Sequence, residues 1–299
     1  MEITFLGTSC MVPTKDRNVA GVFLKYKEEG ILFDCGEGTQ RQMNICGINR
    51  NDVTRICVSH WHGDHVSGII GLIQTVGNSA DEKVLHIYGP MGTKMRMEHL
   101  MLSCIFENKV DIRITELSPK GVERFFENEE IAIECAPMKH SVACNAYSFI
   151  VKDKFNIDPA QLKKHNIKPG PHLQKIKDGE TIVYEGKKFT PAMLTVPVAG
   201  KKVTYITDTR PNKFCAQIAD GADVLVIDAT YANDLADKAD QYGHLTAKES
   251  AQIASAAGVK KLALTHFSQR YKSTHEIESD ARTVFDNVIC AKDFMRVNV

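Results

Sequence analysis

The segment Ser59-His60-Trp61-His62-Gly63-Asp64-His65 restricts the possible folds of this chain more than any other stretch. Three imidazoles and one carboxylate fall within the six residues 60–65, directly behind Arg55-Ile56-Cys57-Val58, an apolar run that reads as a short buried strand. His60 and His62 are two apart, so an extended turn points both rings to one side, where they can share an ion. Asp64 and His65 follow where the chain must bend, and face a second ion. Imidazole nitrogens with carboxylate oxygens suit zinc, without the thiolates that structural zinc sites recruit. A solvated polar loop accounts for one or two histidines but not for this spacing.

The same device recurs further on. Residues 130–136 alternate as a strand and deliver His140; 203–207 end at Asp208, 224–227 at Asp228 and 262–265 at His266. Chemistry in α/β proteins collects at the carboxyl ends of strands, so His60, His140, Asp208 and His266 are expected on one rim. Upstream, 22–24 and 31–33 flank Glu28-Glu29-Gly30 as a β-hairpin. It ends at Asp34, expected to hydrogen-bond backbone near the metals and not to ligate them. Residues 66–76 and 91–103 read as helices.

With 299 residues, 43% hydrophobic and 25% charged, the chain is long enough for a single large domain over 1–299. Lys plus Arg equals Asp plus Glu at 37 each, so an anionic partner has to be held by local charge. Nine cysteines, none spaced Cys-x-x-Cys and most inside apolar runs, read as reduced thiols. The N-terminal stretch has no signal-like h-region and no apolar run approaches membrane-spanning length, which predicts a cytoplasmic protein. Local charge is concentrated at about 152–188, with nine lysines against five acids around Lys168-Pro169-Gly170-Pro171. Apolar residues are sparse there, so it reads as an inserted arm with little core of its own.

Taken together, His60-x-His62-x-Asp64-His65 followed by His140, Asp208 and His266 resembles the metallo-β-lactamase superfamily over nearly the whole chain. Three further motifs resemble the ribonuclease Z family, endonucleases that mature transfer RNA 3′ ends. They are Pro13-x-Lys15-x-Arg17-Asn18, Asp228-Ala229-Thr230-Tyr231 with Gly243-His244-Leu245-Thr246, and His266-Phe267-Ser268-Gln269-Arg270-Tyr271. Length and a single set of motifs resemble the short form, a homodimer. One departure is Asp228, where the family usually carries Glu.

The resemblance implies an α/β fold, the αββα sandwich of two mixed sheets flanked by helices, and two Zn2+ per subunit. One would be held by His60, His62 and His140, the other by Asp64, His65 and His266, with Asp208 between them. It implies that zinc-activated hydroxide cleaves precursor tRNA at its 3′ trailer, leaving a 3′-hydroxyl and a 5′-phosphate. Asp64 is the expected base and orienter, and His244, aimed by Asp228, the expected acid; alternatively His244 merely precedes a helix capped by Thr246. Ser268, Arg270, Lys15, Arg17 and Asn18 would hold RNA near the cut. Lys163, Lys164, Gly170 and Pro171 of the arm would grip the tRNA at a distance. The main rival is a di-zinc phosphodiesterase of small or cyclic nucleotides, which needs neither the arm nor the cationic loop. A lactamase- or glyoxalase-type hydrolase leaves His244, Ser268 and Arg270 without a role, and an RNA-binding module with structural metals leaves the proton donor without one.

Overall fold

The computed structural model describes residues 1–77 and 83–299. They divide into two compact units, a body of Met1–Phe126, Ile133–Phe149 and Lys202–Val299, and a smaller unit of Glu127–Ala132 and Ile150–Lys201.

Two seven-stranded sheets organise the chain. The first runs, edge to edge, Arg296–Asn298, Glu2–Gly7, Gly21–Tyr26, Glu29–Phe33, Arg55–Cys57, Lys83–Pro90 and Val110–Leu117. The second runs Val288–Cys290, Leu262–Thr265, Val224–Asp228, Lys201–Ile206, Cys144–Val151, Ile131–Met138 and Glu123–Glu127. Each is mixed: antiparallel hairpins such as Gly21–Tyr26 with Glu29–Phe33 adjoin parallel pairs such as Glu29–Phe33 with Arg55–Cys57. Val224–Asp228 and Leu262–Thr265, a parallel pair in the second sheet, are buried along their whole length, which is why they read as continuous apolar runs and not as alternation.

Aromatic rings from the two inner faces meet. Phe33 stacks on Tyr205 at 5.3 Å between centroids, and the Tyr147 hydroxyl donates to the Val58 carbonyl at 2.7 Å. Ile69–Val76 closes one outer face over Leu32, Ile56, Leu85 and Ile87. Lys213–Ala219, Ala247–Ala256 and His275–Arg282 close the other over Leu225, Ile227, Leu262 and Leu264. This is the metallo-β-lactamase fold, two mixed sheets with helices outside, as the family resemblance implies. No helix among the described residues is long and apolar enough to cross a membrane.

The hairpin, the two helices and the strand ends fall where the periodicity places them, with small shifts. The predicted helix over 66–76 is two, Gly63–Val66 and Ile69–Val76, because Gly68 passes the turn after Glu29–Phe33 too closely for a side chain. A Cβ on Gly68 would lie 2.1 Å from the Gly36 carbonyl oxygen.

The smaller unit is longer than the 152–188 read from composition and is not coreless. Leu162, Ile167, Ile176, Ile182, Phe189 and Leu194 form their own buried cluster. Widely spaced single apolar residues, not a run, build it. Lys154–Ile157 pairs with Thr195–Val198 and closes the unit as an antiparallel ribbon.

Candidate metal centre

Seven side chains converge at the carboxyl ends of the strands. His60 follows Arg55–Cys57 by three residues; His62, Asp64 and His65 come from the next turn and the helix Gly63–Val66. His140 follows Ile131–Met138, Asp208 follows Lys201–Ile206, and His266 follows Leu262–Thr265. Asp208 (φ 35°) and His266 (φ 63°) sit in the left-handed region that non-glycine residues avoid. Such backbone persists where the surroundings hold it in place for a site.

The ligand atoms form two sets. In the first, His62 Nδ1 is 2.9 Å from His60 Nε2 and 3.3 Å from His140 Nε2, and Asp208 Oδ2 is 3.5 Å from His60 Nε2. In the second, His65 Nε2 is 3.4 Å from Asp64 Oδ2 and 3.5 Å from Asp208 Oδ1, while His266 Nε2 is 3.6 Å from Asp64 Oδ2 and 3.3 Å from Asp208 Oδ1. Around zinc, with bonds of about 2.0–2.2 Å, tetrahedral neighbours lie roughly 3.3–3.6 Å apart, which is close to this spacing. Asp208 turns one carboxylate oxygen to each set, Oδ2 to His60 and His140 and Oδ1 to His65 and His266.

The residues fit cations on two further counts. The Nε2 atoms of His65 and His266 are buried and have no hydrogen-bond partner, a costly state unless an ion takes them. Burial lowers the pKa of both imidazoles, but the Asp208 carboxylate overrides it in each, with Asp34 assisting at His65, so both pKa values stand well above the ordinary one. A site that draws protons onto buried histidines is a site short of positive charge.

Behind these side chains lies a second layer of partners, of the kind that orients imidazoles toward a metal. His60 Nδ1 meets Ser59 Oγ at 3.0 Å, His140 Nδ1 donates to the Gly243 carbonyl at 3.1 Å, and His266 Nδ1 meets Thr230 Oγ1 at 3.2 Å. His65 Nδ1 donates to Asp34 Oδ2 at 2.7 Å. Asp34 does more than its sequence position suggests. It is fully buried at φ 55°; its Oδ2 also accepts from Ser59 Oγ at 2.7 Å and Tyr205 Oη at 2.8 Å, and its Oδ1 from the Ser59 amide at 2.7 Å.

His244 lies beside the two sets, its ring within ligand-atom distance of Cys10, Asp208, Asp228 and His266. Its Nδ1 is 3.1 Å from Asp228 Oδ2, and its Nε2 is 3.9 Å from Cys10 Sγ. Burial pulls its pKa down, and Asp228, then Asp208, push it up to about 10. The shorter Asp228 therefore reaches the imidazole, and its other oxygen accepts from the Thr230 amide at 2.8 Å. The Thr246 cap is also real, with a reciprocal Thr246–Glu249 box. Arg210 ties the two together, gripping Glu249 at 2.8 and 2.9 Å and the His244 carbonyl at 2.5 Å.

All this opens on a cavity of about 820 Å³. His62, Asp64, His140, Asp208 and His244 line it together with Ser268 and Arg270. Lys15, Arg17 and Asn18 do not line it. Lys15 is exposed beside Asp16, Arg17 donates to the Tyr271 carbonyl at 2.7 Å, and Asn18 Nδ2 donates to the Glu37 carbonyl at 2.8 Å. Lys163 and Lys164 end the helix Pro159–Lys164 and Gly170-Pro171 precede His172–Lys177, all in the smaller unit.

A family model described as anti-Pycsar protein Apyc1 matches residues 1–169, and one described as beta-lactamase superfamily domain matches 165–267. Ribonuclease Z of Methanothermobacter thermautotrophicus is 41% identical over 300 residues, covering 100% of this chain and 97% of that protein. The chain belongs to the ribonuclease Z family. Ribonuclease BN of Proteus mirabilis is 34% identical, with 98% of each chain covered. A crystal structure of human tRNase Z, short form, superposes with a TM-score of 0.74 over 100% of this chain and 99% of that one, at 24% identity, a likeness of fold. Within the ribonuclease Z family this member is a metal-dependent hydrolase whose two histidine–aspartate sets match a di-zinc site. Sequence reasoning missed Tyr205, Cys10, Lys238 and Tyr242 around it, and named Thr230 only as part of a motif, without a role. The only available signal was the Lys238–Tyr242 spacing just before Gly243-His244, one helical turn.

Proposed function

We propose that this protein is the endonuclease that removes the 3′ trailer of precursor tRNA, leaving a 3′-hydroxyl on the tRNA and a 5′-phosphate on the trailer. The observation that supports this is the meeting, at one cavity, of two ligand sets sharing Asp208 with His244, whose imidazole is held by Asp228 at 3.1 Å. His60, His62, His140 and Asp208 would hold one zinc ion, and Asp64, His65, His266 and Asp208 the other; bound there, the ions would supply Lewis acidity and a nucleophilic water near neutral pH.

The chain's own groups do the rest. Asp64 keeps its carboxylate ionised far below the usual range: burial opposes this, and His266 and His65 prevail. So weak a base orients water better than it stores a proton. His244, protonated and aimed by Asp228, donates to the departing 3′ oxygen. Ser268 and Arg270, on the cavity wall, contact phosphates next to the one cleaved. Lys15, Arg17 and Asn18 bind RNA farther out, and the arm, through Lys163, Lys164 and the Gly170-Pro171 turn, reads the tRNA's shape from a partner subunit of a cytoplasmic homodimer.

Incubation with zinc and an end-labelled precursor tRNA tests this. A single cut after the last tRNA nucleotide, with the stated termini, is expected. Turnover of cyclic nucleotides or small phosphodiesters without any precursor cleavage would establish the rival phosphodiesterase instead.

A further inference from the structure

The wall of the cavity beside His244 has a character that metal chemistry does not require. Tyr242, the last residue of the helix Ala236–Tyr242, lines the cavity with 55% of its surface exposed. Among the described residues its ring stacks on no other ring and its hydroxyl makes no hydrogen bond. Lys238, one turn earlier on the same helix face, also lines the cavity, as does Arg270, whose guanidinium lies 5.6 Å from the centre of the Tyr231 ring. Neither cation has an ion pair among the described residues. An open aromatic face flanked by unpaired cations is how proteins hold unpaired nucleotides: the ring stacks a base of any identity and the cations take the adjoining phosphates.

We infer that Tyr242, with Lys238 and Arg270, forms a stacking subsite for one unpaired base, that of the last nucleotide the tRNA retains. This rests on the reading given under Proposed function, which also fixes the side of the cut. The departing oxygen is the 3′ oxygen of that nucleotide, and the group that protonates it, His244, follows Tyr242 by two residues. A base held at Tyr242 is thus the one attached to the sugar that His244 must reach. Gly243 makes the approach possible: it takes φ 76°, and a Cβ there would lie 2.9 Å from His140 Nδ1. The helix can therefore end at Tyr242 and the chain still turn His244 into the site.

The test is equilibrium binding, by fluorescence anisotropy with the zinc-loaded protein, of a matured tRNA ending in that nucleotide, intact or abasic at its last position. The wild type is expected to prefer the intact RNA by roughly five- to hundredfold, the range of one base on one aromatic ring. Tyr242→Ala should bind both RNAs alike, at the wild type's abasic affinity, and Tyr242→Trp should keep the preference. A wild type indifferent to the missing base overturns the inference even if the alanine variant does not fold. So does a Tyr242→Ala protein that retains the full preference. Base preference without any cleavage of precursor by the wild type would instead reject the enzymatic reading and leave the subsite standing.

Discussion

At the scale of single residues, charge on a few carboxylates decides what the histidines do. His244 carries its proton because Asp228 faces it, and a group with a raised pKa is charged below that pKa and loses its charge as pH rises through it. Asp228→Asn removes the nearer carboxylate, so the alkaline limb of kcat/KM for precursor cleavage should move to lower pH; a limb that stays in place means another group limits it. His244→Ala should slow cleavage by about 10²- to 10⁴-fold with zinc content unchanged, measured by metal analysis alongside turnover. Asp34 would act on a bound metal through His65, whose Nδ1 it holds at 2.7 Å. Asp34→Asn keeps a residue that tolerates φ 55° but replaces an acceptor of several donors with an amide. We expect zinc affinity to fall about 10- to 100-fold, read by competition with a chromophoric chelator. An unaltered affinity would show that His65 is aimed by something else. The convergence of the seven side chains was legible in the sequence because His60, His140, Asp208 and His266 each come just after an apolar strand and His62, Asp64 and His65 crowd into the turn behind the first of them. Asp34 was seen only as a neighbour, since its partners Ser59, His65 and Tyr205 lie on three other segments and no local spacing links them.

At the scale of elements, what the sequence showed of the sheets and what it hid have one cause. Buried strands such as Val224–Asp228 and Leu262–Thr265 are continuous apolar runs and announce themselves. The smaller unit hides its core because its elements are short: six buried residues are spread from Leu162 to Leu194 among lysines. That core gives the arm a structure that can be broken separately. Ile176→Asp puts a charge into a fully buried position of the cluster, and limited proteolysis should then cut within 150–201 while the rest resists. Replacing 154–198 by a short linker uses a join already made, since the Gly200 amide donates to Asp153 Oδ1 at 2.6 Å. Such a protein should lose precursor-tRNA cleavage and keep hydrolysis of a small phosphodiester, both followed by initial rates. Loss of both activities would mean that the insertion supports the body's fold and not the substrate.

At the scale of the whole body, the metal centre is also a structural joint. His60, His62, Asp64 and His65 leave the first sheet, whereas His140, Asp208 and His266 leave the second, so each ligand set draws from both. Without cations the body must bury two unsatisfied imidazole nitrogens and hold Asp208 and His266 at positive φ with nothing to gain from it. Ions that bind only the folded state stabilise it by mass action, about 2.7 kcal/mol per site at a hundredfold excess over Kd. For a chain of this size each kilocalorie shifts the melting temperature by roughly 2–4 °C. Stripping both sites with a chelator should therefore lower the melting temperature of the body by on the order of 10–20 °C, and zinc should restore it. Trp61 is a suitable probe: it is the one tryptophan in the sequence, it lies between His60 and His62, and its Nε1 donates to Thr93 Oγ1 at 2.8 Å. Magnesium, which prefers oxygen ligands, should not substitute. A melting curve indifferent to zinc would show that the strain and the orphaned nitrogens are borne by the protein alone, and that the two sheets are joined by their aromatic faces without help from the site.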